Sequence, residues 1–173
     1  MRRAVALASL ALALAAVPAT AEETRVTVHV LSRDAKLIGS SMGGARVTIR
    51  AADTGELLAA GVTRGSTGDT QKLVVEPVRR GVPVSTPDAG RFDATLDLDV
   101  PTLVEIRAHG PLAQLQSAVS ATKTLWLLPG KHMDVGDGIL LELSGFAVDV
   151  LTPPVHARLP REEVEVRANL VML

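Results

Sequence analysis

The sequence has no cysteine and no tyrosine, and its aromatic residues are one tryptophan and two phenylalanines. Without cysteine, the chain has no thiol nucleophile, no disulfide, no cysteine-ligated zinc and no iron–sulfur cluster. The scarcity of aromatic rings disfavours sugar-binding faces and single-stranded nucleic-acid platforms, which stack their ligands on such rings. A hydrophobic core must therefore be built from Val, Leu, Ile and Ala.

Long apolar runs are also scarce, and the one at the N-terminus has the form of a signal peptide. The basic start MRR is followed by the apolar stretch 4–17, which Pro18 ends, and Ala19-Thr20-Ala21 precedes Glu22. These are the n-region, h-region and A-x-A site of a secretory signal over residues 1–21. No later segment has the roughly 20 apolar residues of a spanning helix. We expect a periplasmic product that has no membrane span after signal cleavage.

The charge balance disfavours nucleic acid as a partner. Loss of Arg2 and Arg3 with the signal lowers the 18 basic residues to 16 against 19 acidic ones, a net charge near −3. Nucleic-acid binding needs a clustered basic surface, and the compact basic pair Arg79-Arg80 stands alone. The remaining chain, about 150 residues, has the size of a single domain, which we assign to residues 22–173.

Alternating apolar and polar residues predict an all-β protein. In the stretch 25–32, Val26, Val28 and Val30 alternate with polar residues that include His29, a pattern typical of a strand with one buried face. Similar short runs, separated by turn residues, occupy 45–50, 57–63, 92–99, 102–108, 124–128, 139–144, 146–152, 155–159 and 163–173. We predict an antiparallel, immunoglobulin-like or prealbumin-like β-sandwich.

Two segments depart from this pattern. Residues 64–91 are rich in glycine and proline and are predicted to be a loop insertion, with one short strand at 71–78. Leucines at helical spacing make 112–121 the only helix-like segment after residue 21, which allows at most one short helix.

A family resemblance supports the sandwich. Gly44-Ala45-Arg46-Val47-Thr48-Ile49, Asp53-Thr54-Gly55, Gly61-Val62-Thr63 and Gly90-Arg91-Phe92 resemble the hairpin and following strand of carboxypeptidase-regulatory-like, transthyretin-like and Cna-B-like domains. The resemblance covers about residues 24–110 and implies a prealbumin-like sandwich. About 25 residues separate Thr63 from Gly90, where those families have only a few, so the insertion is a feature of this chain.

The sequence does not carry the marks of an enzyme. The chain ends Asn169-Leu170-Val171-Met172-Leu173, without the Tyr-Arg-Gly-Ser-like end of transthyretin-like hydroxyisourate hydrolases, and it lacks the tyrosines of intradiol dioxygenases. Ser144-Gly145 is not part of a G-x-S-x-G elbow. We therefore predict a non-enzymatic protein.

The segment KHMDVGDG, residues 131–138, has two interpretations. A calcium loop requires acidic groups at alternate positions, whereas Asp134 and Asp137 are three apart. Gly136 and Gly138 suit a connection between strands, which is the favoured interpretation and leaves His132 and Met133 exposed at its tip. The alternative is a copper or zinc site assembled by the fold from His132, Met133, His109 and His156.

The functional hypothesis is an exported accessory or binding module that contacts another periplasmic or envelope protein through its loops. Arg79 and Arg80 in the insertion are candidate contact residues. Trp126 is predicted to be the largest core side chain, with a partner anchor as its alternative role. Two other functions stay open: a periplasmic copper or zinc carrier, and a structural subunit, including a homo-oligomer, that associates through edge strands.

Overall fold

A computed structural model describes residues 21–172, and these residues form nine β-strands. The predicted signal peptide lies outside the described residues, apart from Ala21. No helix among the described residues is long and apolar enough to cross a membrane. The strands are β1 (Glu22–Ser32), β2 (Arg46–Ala51), β3 (Leu57–Val62), β4 (Arg91–Leu98), β5 (Thr102–Gly110), β6 (Val119–Leu127), β7 (Ile139–Leu143), β8 (Phe146–Thr152) and β9 (Arg167–Met172).

The strands form two main sheets and a separate ribbon. One sheet has the order β4-β1-β7, the second has the order β3-β2-β5-β6, and β8 pairs with β9 alone. The predicted all-β sandwich is confirmed. Every pair is antiparallel except β1 with β7, which is parallel. A parallel neighbour requires a crossover, and here the chain passes through the four-stranded sheet before it returns beside β1.

The core lies between the two main sheets. Val26, Val28 and Val30 point inward from β1, as their alternation predicts, and are fully buried. Aliphatic side chains from both sheets complete the cluster: Leu96, Leu98, Ile139, Leu141 and Leu143 from the first, and Val47, Ile49, Val104, Ile106, Ala108 and Leu127 from the second. Among residues 21–172 no aromatic ring is fully buried in the core, and Phe92 packs against it partly buried.

A buried threonine secures the end of the β2–β3 hairpin. The Thr63 hydroxyl donates to the carbonyl of Ile38 at 2.6 Å and accepts from the N–H of Ala45 at 2.9 Å. Two backbone groups in the interior thereby gain the hydrogen bonds that burial demands.

The local structure of residues 71–78 differs from the prediction, whereas 112–121 contains no more than the one short helix that was predicted. Residues 71–75 form a single π-helical turn, not a strand, because the Asp69 carboxylate accepts from the N–H groups of Gln71 and Lys72 and thereby starts the turn. In the stretch 112–121 only Leu115–Ser117 is helical, as one 3₁₀ turn, and β6 begins at Val119 because it pairs with β5.

The predicted strand at 155–159 is wrong, and β9 covers only the second part of 163–173. Pro153 and Pro154 precede the first of these segments, and Pro160 follows it. Proline has no N–H to donate to a strand ladder, so this part of the chain forms the loop between β8 and β9.

Candidate functional site

Between Val26 and Val30, strand β1 is buried on both faces, although its alternation predicts one solvent face. His29 lies on the face away from the core, yet it is only 2% exposed, and Thr27 on the same face is also buried. Two segments cover this side: the 132–138 loop and residues 83–87 of the insertion. The motif KHMDVGDG and the insertion, which the sequence singled out separately, therefore meet over the same strand.

Asp137 joins the loop to the insertion. Its carboxylate accepts a hydrogen bond from the N–H of Ser85 at 2.8 Å and from that of Val84 at 2.9 Å. Partial burial alone raises the pKa of Asp137, but the two backbone donors outweigh burial, so the pKa lies below its ordinary value. We call this contact the Asp137 clamp.

The same residue orients His29 through its backbone. The Nδ1 atom of His29 lies 3.0 Å from the carbonyl oxygen of Asp137. A carbonyl only accepts, so Nδ1 carries the hydrogen, and Nε2 of the neutral ring is an acceptor. Nε2 is buried and has no hydrogen-bond partner among the described residues. A free buried acceptor is costly, by roughly 1–3 kcal/mol, which marks this face as a candidate site.

A pocket of about 530 Å³ opens on this face of β1. Two ion pairs lie on its walls: Arg25 with Asp134 at 2.8 Å, and Arg91 with Asp93 at 3.0 Å. Asp93 also accepts the Thr27 hydroxyl at 2.7 Å. The Arg25 hydrogen bond holds the pKa of Asp134 below its ordinary value. The pocket therefore presents charged groups of both signs, each paired with its opposite. Its volume and polar walls suit a small polar ligand.

The KHMDVGDG segment connects β6 to β7, as the favoured interpretation predicts. Gly136 and Gly138 adopt the positive φ angles, 65° and 54°, that the turn requires. The prediction that His132 and Met133 are exposed at the tip of this connection is wrong, however. Met133 is half-buried and continues the sheet beside β1, since its N–H donates to the carbonyl of Arg25 at 2.7 Å. His132 Nδ1 accepts from the N–H of Arg25 at 3.1 Å.

The other candidate metal ligands lie on different elements. His109 is on β5, with Nδ1 3.0 Å from the Ser120 hydroxyl, whereas His156 is exposed in the loop between β8 and β9. His132 uses Nδ1 as an acceptor, so its Nε2 carries the hydrogen in the neutral ring and has no free lone pair. Within residues 21–172 no three His, Asp or Glu side chains are grouped so as to hold a metal ion.

Trp126 is not in the core. It is 61% exposed, whereas its neighbour Leu127 is 1% exposed and fills the inward position. Because side chains alternate along β6, Leu127 takes the core position that was predicted for Trp126. Trp126 lies beside Leu103 on the outer face of the four-stranded sheet. The alternative role as a partner anchor stays a prediction.

The middle of the insertion is exposed and apolar. Arg79 and Arg80 lie at its tip, exposed, as contact residues need to be. The valines around them are also exposed: Val74, Val75, Val78 and Val82.

Sequence reasoning missed His29 and the Asp137 clamp as parts of one site. Alternation predicts that His29 lies on the polar side of β1, and the sequence offers Asp137 only as a calcium-loop carboxylate. The one available signal is the length of the insertion, because long loops in compact domains are uncommon and often functional.

The chain was compared with protein-family models, curated proteins and solved structures. No family model matches it, and no curated protein and no solved structure matches it either. The resemblance to carboxypeptidase-regulatory-like and transthyretin-like domains therefore stays a prediction.

Proposed function

We propose that the protein is an exported, non-enzymatic β-sandwich module that binds another envelope protein through the 64–91 insertion. The observation that carries this proposal is the contrast between the two ends of the insertion and its middle. The ends are hydrogen-bonded to the sandwich, whereas the middle presents apolar side chains to solvent.

The base of the insertion is held at three places. Arg64 and Arg91 exchange two backbone hydrogen bonds, at 2.9 and 3.0 Å. Ser66 forms a bridge with Ala89, which is buried. The Asp137 clamp then holds residues 84 and 85. A loop anchored in this way loses less conformational entropy when it binds, because part of its ordering is complete before the partner arrives.

The middle of the insertion has the composition of a recognition surface. Val75 and Val78 are largely exposed, beside Arg79 and Arg80. Isolated exposed valines need no explanation, but four exposed valines in nine consecutive positions concentrate apolar surface in one short segment. Arginine is enriched in protein interfaces, where its stem packs and its guanidinium pairs. The partner we expect has an apolar groove with an acidic rim.

The paired charges of the neighbouring pocket support a binding role over a catalytic one. Arg25 is paired with Asp134, and Arg91 is paired with Asp93, so each charge is neutralised by its partner. The pKa of Asp134 is lowered, whereas a general acid at neutral pH needs a raised one.

Site-specific photo-crosslinking tests the proposal. A photoreactive amino acid replaces Val78 in one variant and Val100, an exposed valine in the β4–β5 turn, in the control. We expect one discrete adduct with an envelope protein from position 78 and none from position 100. The double substitution Arg79→Ala/Arg80→Ala should weaken that adduct. Identical adducts from both positions, or none from position 78, would show that the insertion is not the contact surface.

A further inference from the structure

The β8–β9 ribbon presents an unbroken apolar face to solvent. In its register Phe146 lies opposite Met172, Val148 opposite Leu170, and Val150 opposite Ala168. These six side chains point the same way, because positions two apart share a face. All six are exposed, and we call them the ribbon face.

The ribbon is held in this orientation by its other side. Ala147 is buried, and Val171 opposite it is half-buried. The Ser117 hydroxyl donates to the carbonyl of Val148 at 2.6 Å, which ties β8 to the 3₁₀ turn before β6. Turning the ribbon over would place Phe146 and Leu170 where a small alanine now packs. Asp149 and Asn169 share the inner side and are half-buried and exposed, respectively, so the outward direction of the apolar face depends on the burial of Ala147 and on the Ser117 hydrogen bond.

Exposed apolar surface is concentrated in this part of the molecule. Nine of the twenty large hydrophobic side chains that are exposed among the described residues lie between 146 and 172. A two-stranded ribbon is at best marginally stable in water by itself. An apolar patch of several hundred Å² on a protein surface generally marks an interaction site.

We propose that the ribbon face is a homodimer interface, covered by the ribbon face of a second copy related by a two-fold axis. The lack of charged side chains on the ribbon face favours a second copy as the partner. A two-fold interface places one patch against itself, so any charge near the axis meets its own sign. None of the six side chains is charged, and Arg167 at the ribbon's end is paired with Glu165 at 2.7 Å.

The area of the ribbon face agrees with a weak, reversible dimer. Five of the six side chains are large, and each is 47–61% exposed. At on the order of 150 Å² per side chain, the lower bound for an aromatic ring, five side chains that are about half exposed offer about 400 Å². Two such faces bury about 800 Å² of apolar surface before any polar rim is counted, which corresponds to a weak, reversible interface.

Face-to-face packing is favoured over pairing of strand edges. Within residues 21–172, β9 pairs with β8 alone. Its outer edge therefore has the backbone groups for a further strand. Pairing there would extend the sheet but would leave Phe146, Val148 and Leu170 in water. Only packing of the faces removes them from solvent, and that burial is the main driving force of association.

Sedimentation velocity on the protein purified from the envelope of cells that express the full chain tests the proposal. We expect a reversible monomer–dimer equilibrium. Leu170→Glu, at the centre of the ribbon face, should raise the dimer dissociation constant by about 100-fold, because two buried carboxylates would face each other. The matched control Val155→Glu, at an exposed site of the β8–β9 loop outside the ribbon face, should leave the constant unchanged.

A mixture of two charged variants distinguishes loss of the interface from loss of folding. Leu170→Glu combined with Leu170→Lys should recover a heterodimer, which loss of folding does not predict, and circular dichroism of each variant checks the fold. A wild-type protein that stays monomeric at millimolar concentration overturns the proposal and assigns the face to a different partner. A dimer that Leu170→Glu does not weaken overturns it as well.

Discussion

Replacing Asp137 by Asn removes the clamp between the loop and the insertion while keeping the size of the side chain. In the native protein each carboxylate oxygen accepts one backbone N–H, from Val84 and from Ser85. An amide offers one oxygen, and its NH₂ group then faces the second N–H. The backbone contact of Asp137 with His29 does not involve the carboxylate and stays in place.

The expected loss follows from the number and kind of hydrogen bonds. A hydrogen bond to a charged group contributes roughly 1.5–3 kcal/mol. Asp137 is only half-buried, so water replaces part of the lost contact, and we take about 1.5 kcal/mol for the variant. That value lowers Tm by about 3–6 °C in a domain of this size. It also increases the opening of the insertion by about tenfold.

Hydrogen exchange measures this opening at the two amides concerned. The N–H groups of Val84 and Ser85 should exchange about tenfold faster in Asp137→Asn than in the native protein. Asp134→Asn is the matched control, because the ion pair of Asp134 with Arg25 does not involve residues 84 and 85. Equal exchange at residues 84 and 85 in both variants would refute the clamp.

Three further predictions concern pH, the interior and β6. The lowered pKa of Asp137 means that its carboxylate stabilises the fold above about pH 4, the unfolded value, and that this contribution is lost as pH falls through the lower folded pKa; acid titration of unfolding should show the loss, and Asp137→Asn should not. Thr63→Val leaves two buried backbone groups without partners and should lower the free energy of unfolding by about 2–4 kcal/mol in urea; a change below 1 kcal/mol would contradict this. Leu127→Ala should cost about 2–5 kcal/mol and Trp126→Ala less than about 1 kcal/mol, and equal costs would contradict the assigned faces of β6.

Much of the fold could be predicted because the strands carry their own signal. The period-two pattern of Val26, Val28 and Val30 depends only on neighbouring residues, and it correctly identified both the strand and its inward face. The β2–β3 hairpin could also be predicted from the sequence, since Asp53-Thr54-Gly55 supplies its turn. The prediction was wrong where a shift of one residue decides which side chain faces the core. In β6 that side chain is Leu127, and Trp126 faces outward.

The candidate site was less predictable, because its parts are distant in sequence. His29 and Asp137 are 108 positions apart, and Asp137 and Ser85 are 52 apart. No local pattern reveals that the insertion and the KHMDVGDG loop lie over the same strand. The apolar character of β8 and β9 was visible in the sequence, whereas the outward direction of their apolar faces was not.

The sequence by itself determined the all-β class, the aliphatic core and the inner face of β1, because period-two alternation and turn residues act locally. The tertiary structure alone decided that the outer face of β1 is covered, that His29 is buried beneath the Asp137 clamp, and that the ribbon face points to solvent. The physical reason is that alternation separates the two faces of a strand but does not say which of them another segment will cover.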